Sequence, residues 1–194
     1  MSKLGWTILG VIVLAVLAFA SMLSFGSTEA SPVARVKARI EQPVTRGDAL
    51  VMPVVGVLPA ALQDTWGDSR GGGARHHQAI DIPAAGGTPV LAAAAGTVEK
   101  LFQSRAGGLT VYIRSPDRGW SHYYAHLAGY APGLSEGQQV RAGQGIGFVG
   151  DTGNAGSGNT HLHFGIARMR AGERWYQGEP VNPYPLLVGR DARR

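Results

Sequence analysis

The chain has 194 residues, a formal net charge of +5, 29 Gly, 11 Pro, no Cys and 44% hydrophobic residues. That length allows one sizeable core, and the Gly and Pro content suits a turn-rich β domain. Zero Cys excludes a disulfide framework and a cysteine-linked lipid anchor. The Lys and Arg are scattered and carry no nucleic-acid-binding motif, so the positive charge points to an acidic polymer or to plain solubility rather than to nucleic acid.

Residues 1–25 are expected to be a membrane anchor or a signal peptide. Leu4–Thr28 carries no charge and Trp6–Phe25 is almost wholly apolar, long enough to cross a hydrocarbon core of about 30 Å as a helix. Lys3 precedes the run, which suits a cytoplasmic N-terminus. Ala18-Phe-Ala20 offers a small-x-small cleavage site for the signal-peptide reading. Met22, Leu23 and Phe25 continue the apolar run past that site, which favours a single-pass anchor. Either way the following domain is exported.

Residues 26–50 read as a linker. They mix Ser and Pro with Arg35, Lys37, Arg39 and Arg46, a basic stretch that can touch anionic headgroups, with a short helix expected around Val33–Glu41. Residues 51–186 form the predicted domain. Its strand-like runs are Val54–Leu58, Ala79–Pro83, Pro89–Ala93, Gly96–Leu101, Leu109–Arg114, Trp120–His126, Ile146–Val149 and His161–Ala167, separated by Gly- or Pro-containing turns as an antiparallel sheet or barrel requires. Gly87-Thr-Pro-Val90 leading to Gly96-Thr-Val98 echoes Gly137-Gln-Gln-Val140 leading to Gly145-Ile-Gly147. The aromatic, Pro-rich stretch Trp175–Pro185 is expected to pack across the sheet rather than extend a ladder, because Pro cannot donate there. Residues 187–194 read as a basic tail.

The six His of the chain are concentrated. His77-x-x-x-Asp81 and His161-x-His163, with His126 between them, form a pattern suited to zinc, which takes neutral imidazole nitrogen and carboxylate oxygen. Alternation along His161–Ala167 puts His161 and His163 on one face and Leu162 and Phe164 on the other. Four extended residues span about 13 Å, so His77 and Asp81 converge only if the chain bends near His77–Gln78. The same alternation puts His122, Tyr124 and His126 on one face, with His122 read as a structural strand residue and Tyr124 as a neighbour of the site. His76 faces away from His77 as a solvated neighbour.

The run Trp66-Gly-Asp-Ser-Arg70, His77-Gln-Ala-Ile-Asp-Ile82, Gly87-Thr-Pro-Val90, Tyr124-Ala-His-Leu127, Gly143-Gln-Gly-Ile-Gly147, Gly150-Asp-Thr-Gly153 and His161-Leu-His-Phe164 resembles the lysostaphin/LytM-type zinc endopeptidases, in their order, from about Pro53 to Tyr184. The resemblance implies a mainly antiparallel β sandwich or barrel, the family's duplicated hybrid motif. It also implies Zn2+ held by His77, Asp81 and His163, with His126 and His161 as catalytic histidines. The implied reaction is hydrolysis of peptide bonds in peptidoglycan cross-links or stem peptides, with metal-acidified water as nucleophile and two histidines handling protons. The implied groove walls are Gln103–Gly108 and Thr152–Asn159. Degenerate relatives act as non-enzymatic activators of other wall hydrolases, but this chain keeps all five positions. A biotinyl- or lipoyl-like carrier is the third reading, and it needs an exposed Lys on a hairpin tip; Lys100 is the only Lys in the predicted domain. The bond cut, and any protein partner that gates the groove, are not written in the sequence.

Overall fold

The computed structural model describes residues 50–70 and 72–189. The expected anchor or signal at residues 1–25, the linker up to residue 49 with its short helix, and the tail from Arg190 onward lie outside the described residues. Among the described residues no helix is long and apolar enough to cross a membrane.

The described chain is mainly antiparallel β. Strands β1 (Ser69–Arg70) and β2 (Arg75–His76) form a short hairpin. A nine-stranded sheet takes the rest: β3 (Ile80–Pro83), β4 (Pro89–Leu91), β5 (Gly96–Ser104), β6 (Gly108–Arg114), β7 (Trp120–Tyr130), β8 (Gln139–Val140), β9 (Gly145–Val149), β10 (His161–Arg168) and β11 (Glu179–Val181). Its main path runs β11-β10-β7-β6-β5-β8, with β3 on β10 and β9 bridging β4 and β7. A 3-10 turn at Pro59–Ala61 and a single helical turn, α1 (Tyr184–Leu187), complete the regular structure.

The internal echo of the sequence becomes reciprocal pairing. β4 of the first copy pairs with β9 of the second, while β8 of the second pairs with β5 of the first. Matching backbone bonds close both copies: Gly87 N–H donates to Val149 O and Gly137 N–H to Val98 O, each at 2.8 Å. Neither copy can complete its sheet alone, so the two fold as one unit. Gly87 and Gly137 both sit at positive φ, +82° and +83°, in turns where a Cβ would be strained.

Core residues come from the inward-facing positions. Ile80 and Ile82 of β3, Val111 and Ile113 of β6, Tyr124 and Leu127 of β7, and Leu162 and Phe164 of β10 are all 0% exposed and form one cluster. Such burial on period 2 is the signature of strands with one buried face.

Two segments depart from the sequence expectation. Val54–Leu58 is not a strand: only Val54 bridges, to Val90, because Gly56 turns at φ +82° and Pro59 opens the 3-10 turn. The C-terminal stretch does extend the ladder. Glu179–Val181 pairs with Ile166–Arg168 of β10 as an outer strand, a position where Pro180 is tolerated because its missing N–H can face away from the partner.

Candidate metal centre

Two pairings and a bend build the site. His163 of β10 stands opposite Asp81 of β3 on one side and opposite Ala125 of β7 on the other. The chain breaks its strand at His77–Ala79, between β2 and β3, and this bend returns the His77 ring to Asp81. Thr65 fixes both residues: its carbonyl accepts from His77 Nδ1 at 2.8 Å, and its hydroxyl accepts the Asp81 N–H at 3.0 Å.

The converging atoms are His77 Nε2, Asp81 Oδ1 and His163 Nδ1. Their separations are 3.1 Å (His77 to His163), 3.1 Å (His163 to Asp81) and 3.3 Å (His77 to Asp81). A tetrahedral zinc with bonds of about 2.0–2.2 Å separates its ligand atoms by roughly 3.3–3.5 Å, close to all three edges. The donor set fits as well. With His77 Nδ1–H committed to Thr65, His77 Nε2 presents a lone pair, and so does the carboxylate oxygen. A single proton on His163 Nδ1 can serve only one of its two neighbours, whereas a cation serves all three.

Arg70 completes the surroundings and was not singled out from sequence. Its Nη2 donates to Asp81 Oδ2 at 2.6 Å, which leaves Oδ1 to face the two imidazoles and holds the carboxylate in a one-oxygen geometry. Burial alone would raise the Asp81 carboxyl, but hydrogen bonds from His163 and His77 outweigh it and hold the group well below the usual carboxylate range. Burial pushes His163 down from the usual histidine value, against the pull of Asp81.

His126 and His161 stand beside this triangle without joining it. Their rings lie 4.9 Å apart, His126 lies 5.5 Å from His163, and His161 Nε2 is 3.7 Å from Asp81 Oδ1. Each Nδ1 is tied to a backbone carbonyl at 2.8 Å, that of Thr152 for His126 and that of Asn159 for His161. These bonds fix the tautomer and leave each Nε2 as a proton acceptor turned to the groove. Burial, helped by the nearby His163 and His161, takes His126 down to about 4 despite the Thr152 bond, so its ring is neutral near pH 7.

His126 reaches the groove by breaking the alternation expected of it. β7 advances three residues, Tyr124 to Leu127, while β6 advances two, Leu109 to Val111. This bulge carries His126 at φ +62° and turns its side chain to the face shared by Ser121, Tyr123 and Ala125. His122 and Tyr124 stay inside. Tyr124 is therefore no neighbour of the site: its hydroxyl accepts the Ala93 N–H at 2.7 Å in the core. His76 is exposed, as expected, with its Nδ1 3.2 Å from Gly67 O.

The five residues line a groove of about 950 Å³. Ala106 and Gly107 wall it from one expected loop, and Asn154, Ala155 and Asn159 from the other. The two loops meet backbone to backbone: a Cβ on Gly153, itself at φ +74°, would collide with Gly108 N and Ala106 O. Thr152 locks the contact, accepting the Leu109 N–H at 3.1 Å and donating to Leu127 O at 2.8 Å. Lys100 lies mid-strand on β5, paired to Glu136 at 2.8 Å, so the hairpin-tip lysine that a carrier needs is missing from the described residues.

Residues 75–183 match the family described as Peptidase family M23. The chain belongs to peptidase family M23. It is 40% identical over 133 residues to an L-Ala--D-Glu endopeptidase of Bacillus subtilis (strain 168), covering 66% of this chain and 39% of the relative. The chain thus spans about two fifths of that relative's length. Among solved M23-like structures, a putative glycyl-glycine endopeptidase lytM from Ruminococcus gnavus superposes with a TM-score of 0.58 at 32% identity, over 76% of this chain and 62% of the other. The catalytic domain of lysostaphin from Staphylococcus simulans gives 0.54 at 27%, over 66% and 94%. The M23 fold accounts for the mainly β architecture, and a further relative, 35% identical over 45% of this chain and 20% of its own length, is named peptidoglycan DD-endopeptidase ShyC, from Vibrio cholerae.

Proposed function

We propose that the protein is an exported zinc metalloendopeptidase that hydrolyses peptide bonds in peptidoglycan. His77, Asp81 and His163 hold the metal, and His126 and His161 are the catalytic histidines. The observation that carries this reading is the triangle of three lone-pair atoms at 3.1–3.3 Å, with two further imidazoles anchored through Nδ1 beside it. A zinc ion bound there supplies Lewis acidity to the scissile carbonyl and lowers the pKa of water.

The chain's own groups do the rest. His126 and His161, each anchored through Nδ1, present their Nε2 atoms over the groove; one takes the proton as water oxygen bonds to the carbonyl carbon, and the proton passes to the amine nitrogen as the C–N bond breaks. A ring that has become protonated is also a donor to the oxygen where negative charge collects. Arg70 keeps the Asp81 carboxylate in position throughout. The wall location of the substrate and the apolar segment Trp6–Phe25 support export with the domain outside the cytoplasm, tethered to the membrane.

The test is zinc content together with fragment release from purified peptidoglycan, for the full chain and for His163→Ala. About one zinc per chain with release lost in the variant is expected, and the fragments name the bond. Zinc with no release in the wild type would leave a metal-binding, non-hydrolytic activator. Absence of zinc in the wild type would overturn the ligand assignment.

A further inference from the structure

The groove continues past the histidines, and its two ends differ. On one side of the centre lie Arg70, Arg75 and His76. On the other, the floor follows β10 from His163 through Gly165 to Ala167, about 13 Å at 3.3 Å per residue. That second end is walled by Tyr112, Tyr123, Trp175 and Tyr176, with Ser121 and Gln177 beside them. None of these residues is an acid, lysine, arginine or histidine, and burial raises Tyr112 and Tyr123 above the ordinary tyrosine value.

We propose that this neutral, aromatic end is a sugar subsite: it holds the amino-sugar ring to which the stem peptide is attached, stacked on Trp175 and Tyr176, with the Ser121 hydroxyl bonding to a polar substituent of that ring. The inference rests on the peptidoglycan reading above. Two observations and the chemistry of the ring point to a sugar. The hydroxyl of Ser121 is buried with no hydrogen-bond partner, and a buried polar group left unpaired is costly. A pyranose offers the complement the wall lacks, an apolar C–H face with polar groups around its rim. Among the described residues that line the groove, the arginines are Arg70 and Arg75 at the other end, and the aromatic end is lined by uncharged side chains.

The aromatic cluster is not needed merely to fasten its loop. Arg114, 2% exposed, already donates to Glu173 O at 3.2 Å, and a Cβ on Gly178 would press on Met169 Sδ and Arg168 O. Trp175 does pack on Phe102 at 5.0 Å and Tyr112 at 4.7 Å. Tyr176, in contrast, is 56% exposed at the open edge of the groove, where it holds no part of the core together.

The experiment compares two substrates for the full chain: a disaccharide-linked stem peptide and the same peptide freed of sugar. The wild type is expected to prefer the linked form at least tenfold in kcat/KM. Tyr176→Ala should reduce that preference at least threefold through KM. Trp175→Ala should abolish it; because its loop can loosen, the exposed Tyr176 variant keeps the idea falsifiable. A second readout needs no turnover: titration with the amino-sugar disaccharide alone should quench tryptophan fluorescence in the wild type and not in Trp175→Ala. Equal cleavage of both substrates without quenching overturns the subsite and leaves the peptidase standing. Quenching with neither substrate cut sinks the peptidase reading and keeps the sugar site.

Discussion

β10 and β7 deliver the histidines of one site by opposite means. β10 is regular: His161 and His163 face the groove while Leu162 and Phe164 are fully buried, as period-2 geometry dictates. β7 delivers His126 by an irregularity, a bulge with one residue at φ +62°. A non-glycine residue in that region costs on the order of 1–3 kcal/mol and persists only where its surroundings over-determine it. Here the His126 N–H donates to Gly107 O and its Nδ1 to Thr152 O, both at 2.8 Å. The proposed ligand thus rests on the sheet's own regularity, whereas the proposed proton carrier rests on two loops that grip a strained residue.

That contrast is broken most severely at His126 itself. His126→Ala should retain zinc, since none of the three ligand atoms belongs to it, and lose turnover by about 10²–10⁴-fold, the scale of a lost general base or acid. Metal content and peptide release measured on one preparation check both halves, and turnover near the wild-type rate would remove His126 from the mechanism. The stability of His126→Gly against His126→Ala sharpens the point. In ordinary strand positions Gly is the less stable of the two by roughly 0.5–1 kcal/mol. At φ +62° the order should invert, with Gly more stable by about 1 kcal/mol, as read from urea midpoints.

The same contrast explains what the sequence disclosed. The sheet and the facing of His161 with His163 were legible because alternation and turn residues write them locally, whereas the two loops walling the groove came from the family resemblance and the bend at His77–Gln78 from requiring His77 and Asp81 to meet. The facing of His126 was not, since a bulge adds one residue without any residue-type signature here; strict alternation put His126 with Tyr124, which proves to be core. Thr65, Thr152 and Asn159 escaped notice because each steers a histidine through a main-chain carbonyl, which any residue possesses. Arg70 lay within the motif that carries the family resemblance, yet its grip on Asp81 depends on a hairpin of two-residue strands too short to predict. The outer strand Glu179–Val181 was hidden by Pro180, which reads as a breaker until the edge position is known.

A milder way to disturb β7 acts from the loops. Gly153→Ala places a Cβ against Gly108 and Ala106 backbone, atoms that cannot step aside as a flexible side chain can. Thr152 must shift with it, and with Thr152 the carbonyl that orients His126. Expected are a loss of about tenfold to a hundredfold in kcat, near-normal zinc content, and KM changed less than kcat. Equal loss of zinc and of turnover would mean that the loop supports the whole centre rather than His126 alone.

The smallest effect separates the two histidines of β7 that ended on opposite faces. His122 is 4% exposed between Ile113 of β6 and Ile166 of β10, with Nδ1 unpartnered. Burial takes its pKa from the usual 6.5 down to about 4, opposed by the backbone of Ile113 and more weakly by the charge of Asp117. The unfolded chain therefore takes up a proton at His122 near pH 6.5 that the folded chain refuses until about pH 4. Its contribution to stability is complete above pH 6.5 and is lost as pH falls through that window, by at most on the order of 3 kcal/mol. His122→Leu removes the proton site while keeping an apolar side chain of similar bulk. Urea midpoints on metal-free protein at pH 7.5, 6 and 5 should fall less steeply in the variant than in the wild type. Working without metal matters, because zinc release at low pH would add a second slope of its own. Parallel slopes would show that His122 is protonated in the folded state as readily as in the unfolded one. The bulge would then govern only where the side chains of β7 point, and not how they titrate.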